Sequence, residues 1–140
     1  MGLLTRNRSC KFYREPITSS KTVKGEGEPE SNLCYKKDVD EDQNRYVRMA
    51  SEISGNDIDF LATLNQENGL FSPDRLHNDG HGNGFCGFDD RWWSKIIDDP
   101  RFLSDPYWQL TKCFEAYKGG TRMYGYDVRY KSINKFVCPE

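Results

Sequence analysis

A chain of 140 residues suits one domain with a modest core. Its net charge of −2, with 36% hydrophobic and 30% charged residues, gives nothing that favours a nucleic-acid partner, which usually needs a basic face. No apolar run reaches the roughly 18 residues that a membrane-spanning helix needs. Aromatic residues make up 14% of the chain, which supplies core bulk or flat platforms for ligands with apolar faces. Acidic residues gather between Glu67 and Asp105 and basic ones between Lys112 and Lys135, a distribution read as solvated surface.

The start, MGLLTRNRS, is too poor in apolar residues for a signal peptide. Residues 1–40 read as an irregular arm: SSKTVKGEGEPESN combines Gly, Pro, Ser and charges with no apolar period. The domain is expected over 41–140. A first helix is predicted from about Asp42 to Ile53, on the spacing of Tyr46, Ala50 and Ile53, with Gly55 as its stop. A second starts from Ser54 or Asn56 as cap, carries the stripe Ile58, Leu61, Leu64, and ends at Asn68-Gly69.

Residues 69–91 hold too many glycines for a long helix and suit a short hairpin or loop sheet. Trp92 to Ile97 reads as a short helix. Asp105-Pro106 opens another, running to Tyr117, with Asp as cap and Pro at the first helical position. Tyr124, Tyr126, Val128 and Tyr130 alternate with period two and predict an extended tail.

Phe60, Leu64 and Glu67 share one face of the second helix. That places the Glu67 carboxyl at the helix end beside apolar groups, where desolvation and the negative helix terminus both raise its pKa. Such a carboxyl can act as a general acid. The plain alternative is an exposed residue in a last helical turn.

Two stretches carry a family resemblance. ENGLFSP, from Glu67, looks like the E-S-x-F-x-P stretch around the catalytic glutamate of soluble lytic transglycosylases. GHGNGFCGFDDR, Gly80 to Arg91, resembles the G-x-G-x-G-L-M-Q-[IV]-D-x-R run of lytic transglycosylases and goose-type lysozymes. SDPYWQLTKCFEAYKGG is similar to the D-P-x-x-N-I helix that those families place next. The resemblance covers about residues 50–120. It implies a lysozyme-like fold, α+β and mostly helical, with a small β element as one wall of a cleft. The implied activity is cleavage of the β-1,4 bond between N-acetylmuramic acid and N-acetylglucosamine of peptidoglycan, by hydrolysis or lytic transglycosylation. Glu67 matches the catalytic acid, and Asp79 and Asp89 match aspartates proposed to place water. Gly84 and Phe85 fall on the cleft floor, with His81 in the same substrate-binding run. Tyr124 and Tyr126 are expected either to line the opposite side or to serve as strand residues. The chain departs from the pattern at Cys86-Gly87, where the families have Met-Gln. A non-catalytic glycan-binding module on the same fold is the alternative.

No cofactor or metal is required by this chemistry. Competing readings of the loop are an EF-hand imitation from Asp79, His81, Asn83, Gly84 and Asp90, zinc held by His77, His81 and Cys86, and a Cys86–His nucleophile pair. Trp92-Trp93 offers a sugar platform or, in preference, one core residue and one loop cover.

Five cysteines without a Cys-x-x-Cys pair fit one or two disulfides in a protein working outside the cell, with five buried thiols as the alternative. Cys86 in the loop and Cys113 at the edge of the third helix stripe are the first candidate pair, and Cys34 with Cys138 the second, leaving Cys10 free. The expected setting is extracellular or periplasmic, secreted or delivered by lysis as phage enzymes are, and the protein is expected to act as a monomer.

Overall fold

Asp40 starts the first long helix by accepting the Gln43 N–H at 2.9 Å. In the computed structural model, which describes residues 32–139, this helix, α1, runs over Glu41–Ser54 and closes on a left-handed Gly55. The second helix, α2 (Ile58–Glu67), is capped by Asp57, whose carboxylate accepts from the Phe60 N–H. Ser54 and Asn56, the caps expected from sequence, are used otherwise. Ser54 Oγ accepts the Asp57 N–H, and Asn56 takes a left-handed turn with φ of 64°, so the chain reverses one residue later than expected.

A two-residue hairpin follows, β2 (Gly82–Asn83) antiparallel to β3 (Phe88–Asp89). Two short helices, α3 (Ser94–Ile97) and α4 (Arg101–Ser104), lead to α5 (Pro106–Lys118), which starts as expected with Asp105 as cap and Pro106 at its first turn. The arrangement is α+β and mostly helical, and the core includes Val47, Phe60, Leu61, Leu64, Phe85, Phe102 and Leu110. Phe60 takes the rings of Phe114 and Tyr117 at 5.0 and 5.1 Å, which locks α2 against α5.

The tail departs from the period-two expectation. Tyr124–Val128 is a helix, α6, followed by 3₁₀ turns at Arg129–Lys131 and Ile133–Lys135. Tyr124 and Tyr130 face water (Tyr124 is 73% exposed), and among the described residues no strand pairs with this segment. The buried position is Gly125, where the backbone itself packs on α2: a β-carbon there would collide with the Thr63 carbonyl oxygen.

The stretch expected to be irregular through residue 40 contributes structure at its end. β1 (Tyr35–Lys36) pairs antiparallel with β4 (Phe136–Val137). Both candidate disulfides are present: Cys34–Cys138 beside this pair, and Cys86–Cys113 joining the hairpin to α5. Cys10, expected to be free, and the arm before residue 32 lie outside the described residues. Among the described residues no helix is long and apolar enough to cross a membrane.

Candidate active site

Glu67 ends α2, half-buried, directly behind fully buried Leu64. Its carboxyl has two unlike oxygens. Oε2 accepts the Gly125 N–H at 2.9 Å, delivered by the first turn of α6. Oε1 faces Gly87, where a β-carbon would stand only 3.2 Å from it. Burial raises the pKa of Glu67. The Gly125 N–H, the charge of His77 and the Tyr124 N–H oppose that rise, and Asp79 adds to it.

The glycine-rich loop is built around other side chains. A β-carbon at Gly84 would collide with Gln109 Oε1, because Gln109 reaches up from α5 into the loop. That oxygen accepts the Phe85 N–H at 2.8 Å, while Nε2 donates to the carbonyls of Phe102 (2.7 Å) and Pro73 (3.0 Å). The Gly84 carbonyl is taken by His77 Nε2 at 2.9 Å and Asn68 Nδ2 at 3.2 Å, and its N–H donates to the Arg75 carbonyl. Phe85 is fully buried against Tyr46. The Gly84 N–H and carbonyl and the Phe85 N–H, expected on a sugar-facing floor, are thus engaged in holding the loop.

The two expected water-placing aspartates differ. Asp89 accepts Arg91 at 2.9 Å (Nε) and 2.7 Å (Nη2), plus the Arg91 N–H at 2.9 Å. These bonds hold its carboxyl at about 2. Asp79 uses Oδ1 to accept the His81 and Gly82 N–H groups, and its pKa is lowered chiefly by those bonds. Asp79 is felt electrostatically at Glu67, and Asp89 is not among the influences on it.

His81 turns to Asp90, Nδ1 to Oδ1 3.1 Å. His81, Asp89 and Asp90 are the one group of three metal-ligating side chains brought together among the described residues, but Arg91 already occupies both Asp89 oxygens. Asp79, Asn83 and Asp90 do not converge as an EF-hand requires: the first caps backbone, and Asn83 Nδ2 donates to the carbonyls of His81 and Phe88. Because Cys86 is in a disulfide, it supplies neither a zinc thiolate nor a nucleophile.

Tyr124 stands exposed next to Gly125, beside Glu67. Tyr126 is committed to packing, its ring 6.2 Å from Tyr117 and 4.0 Å beneath the Arg129 guanidinium. Trp93, partly buried, packs on Phe88 at 5.3 Å, and Trp92 is 78% exposed.

The residue that sequence reasoning undervalued is His77. It appeared only as a zinc or nucleophile partner, yet its ring lies against Gly87 opposite Glu67 Oε1. Nothing in its sequence spacing marks this, because nine residues separate it from Glu67. Compared with known proteins, the chain matches no family, no curated protein and no solved structure.

Proposed function

We propose that the chain is a peptidoglycan-cleaving muramidase on a lysozyme-like fold, with Glu67 as general acid. The observation that carries this reading is the unequal pair of Glu67 oxygens. An oxygen that accepts the Gly125 N–H is a poor site for a proton, so protonation falls on Oε1, which faces Gly87. Burial keeps that proton on at higher pH than for an ordinary glutamate. Cleavage of a glycosidic bond needs such a group, since the leaving oxygen must be protonated as the bond breaks. Transfer of the Oε1 proton to that oxygen leaves Glu67 as carboxylate, stabilised by the Gly125 N–H.

The carbon left behind is then attacked by water or by the muramyl 6-hydroxyl. Asp79 is the better candidate for placing water: its Oδ2 makes no hydrogen bond among the described residues, whereas both Asp89 oxygens are held by Arg91. Two disulfides support work in an extracellular or periplasmic setting. A second reading, a glycan-binding module without catalysis, is favoured by the locked Asp89.

Purified peptidoglycan incubated with the protein, and its products read by mass spectrometry, tests the proposal. Released reducing muropeptides indicate hydrolysis and anhydro products indicate transglycosylation. Retention of the protein on the glycan with no release, by parent and Glu67→Gln variant alike, replaces the enzyme with the binding module.

A further inference from the structure

An open cavity of about 440 Å³ lies where α2, β1 and the last 3₁₀ turn meet, and its lining includes Lys36, Lys37, Asp38, Asn65 and Lys135. Asn65 and Glu67 are two positions apart on α2 and so leave the helix in nearly opposite directions. The wall is firmly built. The Lys37 N–H donates to the Lys135 carbonyl at 2.9 Å. Asn44 accepts the Lys36 N–H at 2.7 Å and donates to the Lys36 carbonyl at 3.1 Å.

Three lysines against one aspartate leave this lining at a net charge of +2. Lys36 is only 9% exposed. Its ammonium spends one of three hydrogens on the Gly69 carbonyl at 2.8 Å. Among the described residues no carboxylate pairs with Lys36, Lys37 or Lys135. Burial, and then the charge of Lys135, lower the Lys36 pKa. A buried cation without a counter-ion is a charge that a ligand can neutralise.

Asn65 points the same way by a separate route. It too is 9% exposed, and its Oδ1 has no hydrogen-bond partner. Its Nδ2 and Gln66 Nε2 both stand 2.6 Å from Oγ of fully buried Ser132. A hydroxyl facing two donors has nowhere to place its own hydrogen. A half-turn of the Asn65 amide cures this: Oδ1 accepts the Ser132 O–H, Oγ still accepts from Gln66, and Nδ2 becomes the group without a partner. A buried donor on the wall of a cation-lined cavity calls for an acceptor.

Lysine meets phosphate as a point charge, whereas arginine is the residue shaped for a carboxylate, and no arginine lines the cavity. A phosphate group carries close to two negative charges at neutral pH, which matches the net +2. The volume far exceeds the roughly 30 Å³ of one water, so an organic group bearing the phosphate also has room. We propose that this cavity binds a phosphate group, with Lys36, Lys37 and Lys135 supplying the charge and Asn65 Nδ2 a hydrogen bond. The site is independent of Glu67 and of its role as an acid.

The test is proton–nitrogen-15 NMR of the whole protein at neutral pH, titrated with sodium phosphate and, at equal ionic strength, with sodium chloride. Phosphate should give saturable shifts at the Asn65 side-chain amide and at the backbone N–H groups of Lys36, Lys37 and Lys135. The double variant Lys37→Gln/Lys135→Gln changes only exposed side chains, and should weaken phosphate binding on the order of tenfold or more. Glu67→Gln should leave the affinity unchanged. Glycerol 3-phosphate separates the sources: tighter binding than inorganic phosphate assigns the cavity to a phosphate on an organic molecule, and equal binding to the free ion. Shifts that fail to saturate, that chloride reproduces, or whose affinity is the same in the double variant overturn the proposal.

Discussion

Glu67 and Asp89 were both expected to do chemistry, and the structure puts them in opposite environments. Glu67 ends a buried helix, gives Oε2 to the Gly125 N–H and turns Oε1 toward Gly87, and desolvation raises its pKa. Asp89 ends the β2–β3 hairpin, gives both oxygens to Arg91 and is held at about 2. A carboxyl that is to lend a proton needs dry surroundings and a free oxygen; a guanidinium clamp denies it both. The same comparison separates the two regions. The α2–α6 contact sets the surroundings of the Glu67 carboxyl, and the glycine-rich loop, anchored by Gln109 and Cys86, sets what that carboxyl faces.

The largest effect should come from breaking the acid itself. Glu67→Gln should lower glycan release by about two to four orders of magnitude with an unchanged circular dichroism spectrum; parent-level release removes the assignment. This variant should also gain stability. The folded protein holds the Glu67 proton more tightly than the unfolded chain does. The parent therefore loses stability as pH rises from the ordinary value of 4.5 through the raised folded midpoint. The variant escapes that loss, so urea midpoints should favour it above this window and not below it.

Loosening the loop should matter next. Replacing Cys86 and Cys113 by serine opens a link spanning 27 residues, and should cost roughly 3 kcal/mol by the chain-entropy account. It should also release Gly87 and His77 from their place opposite Glu67, so activity should drop more than the fraction unfolded explains. Gly125→Ala strikes the other region. Its methyl meets the Thr63 carbonyl oxygen, which should cost about 1–3 kcal/mol as overpacking and withdraw the N–H from Oε2. Carbon-13 titration should then show the Glu67 midpoint rising.

Asp89→Asn should do least. The Asp89–Arg91 pair is solvent-facing, so its loss should lower stability slightly, and less so at high salt. Its contribution is present above the ordinary aspartate value of 3.8 and is lost as pH falls toward 2. Glycan release should stay at the parent level. A large loss of hydrolysis would return Asp89 to the reaction and erase the contrast with Glu67.

Local signals in the chain determined the helices. Asp40, Asp57 and Asp105 each precede an apolar stripe at helical spacing, and capping is a matter of a few neighbouring atoms. The same locality placed Glu67 on the apolar face of its helix and the glycines in a hairpin. The Cys86–Cys113 pair was suggested by loop and stripe positions, whereas Cys34–Cys138 was suggested only as a tie between the arm and the tail. Only the tertiary structure decided what each group is used for. Gln109, Asn68 and His77 reach the Gly84–Phe85 backbone from 7 to 24 residues away, so no window of sequence holds the partners together. The tail shows the same limit: its tyrosines alternate like a strand, yet it folds as a helix because the Gly125 backbone must meet α2, a contact across 58 residues. Period and capping are short-range properties of one segment, whereas the state of a carboxyl depends on whatever the fold brings within a hydrogen bond of it.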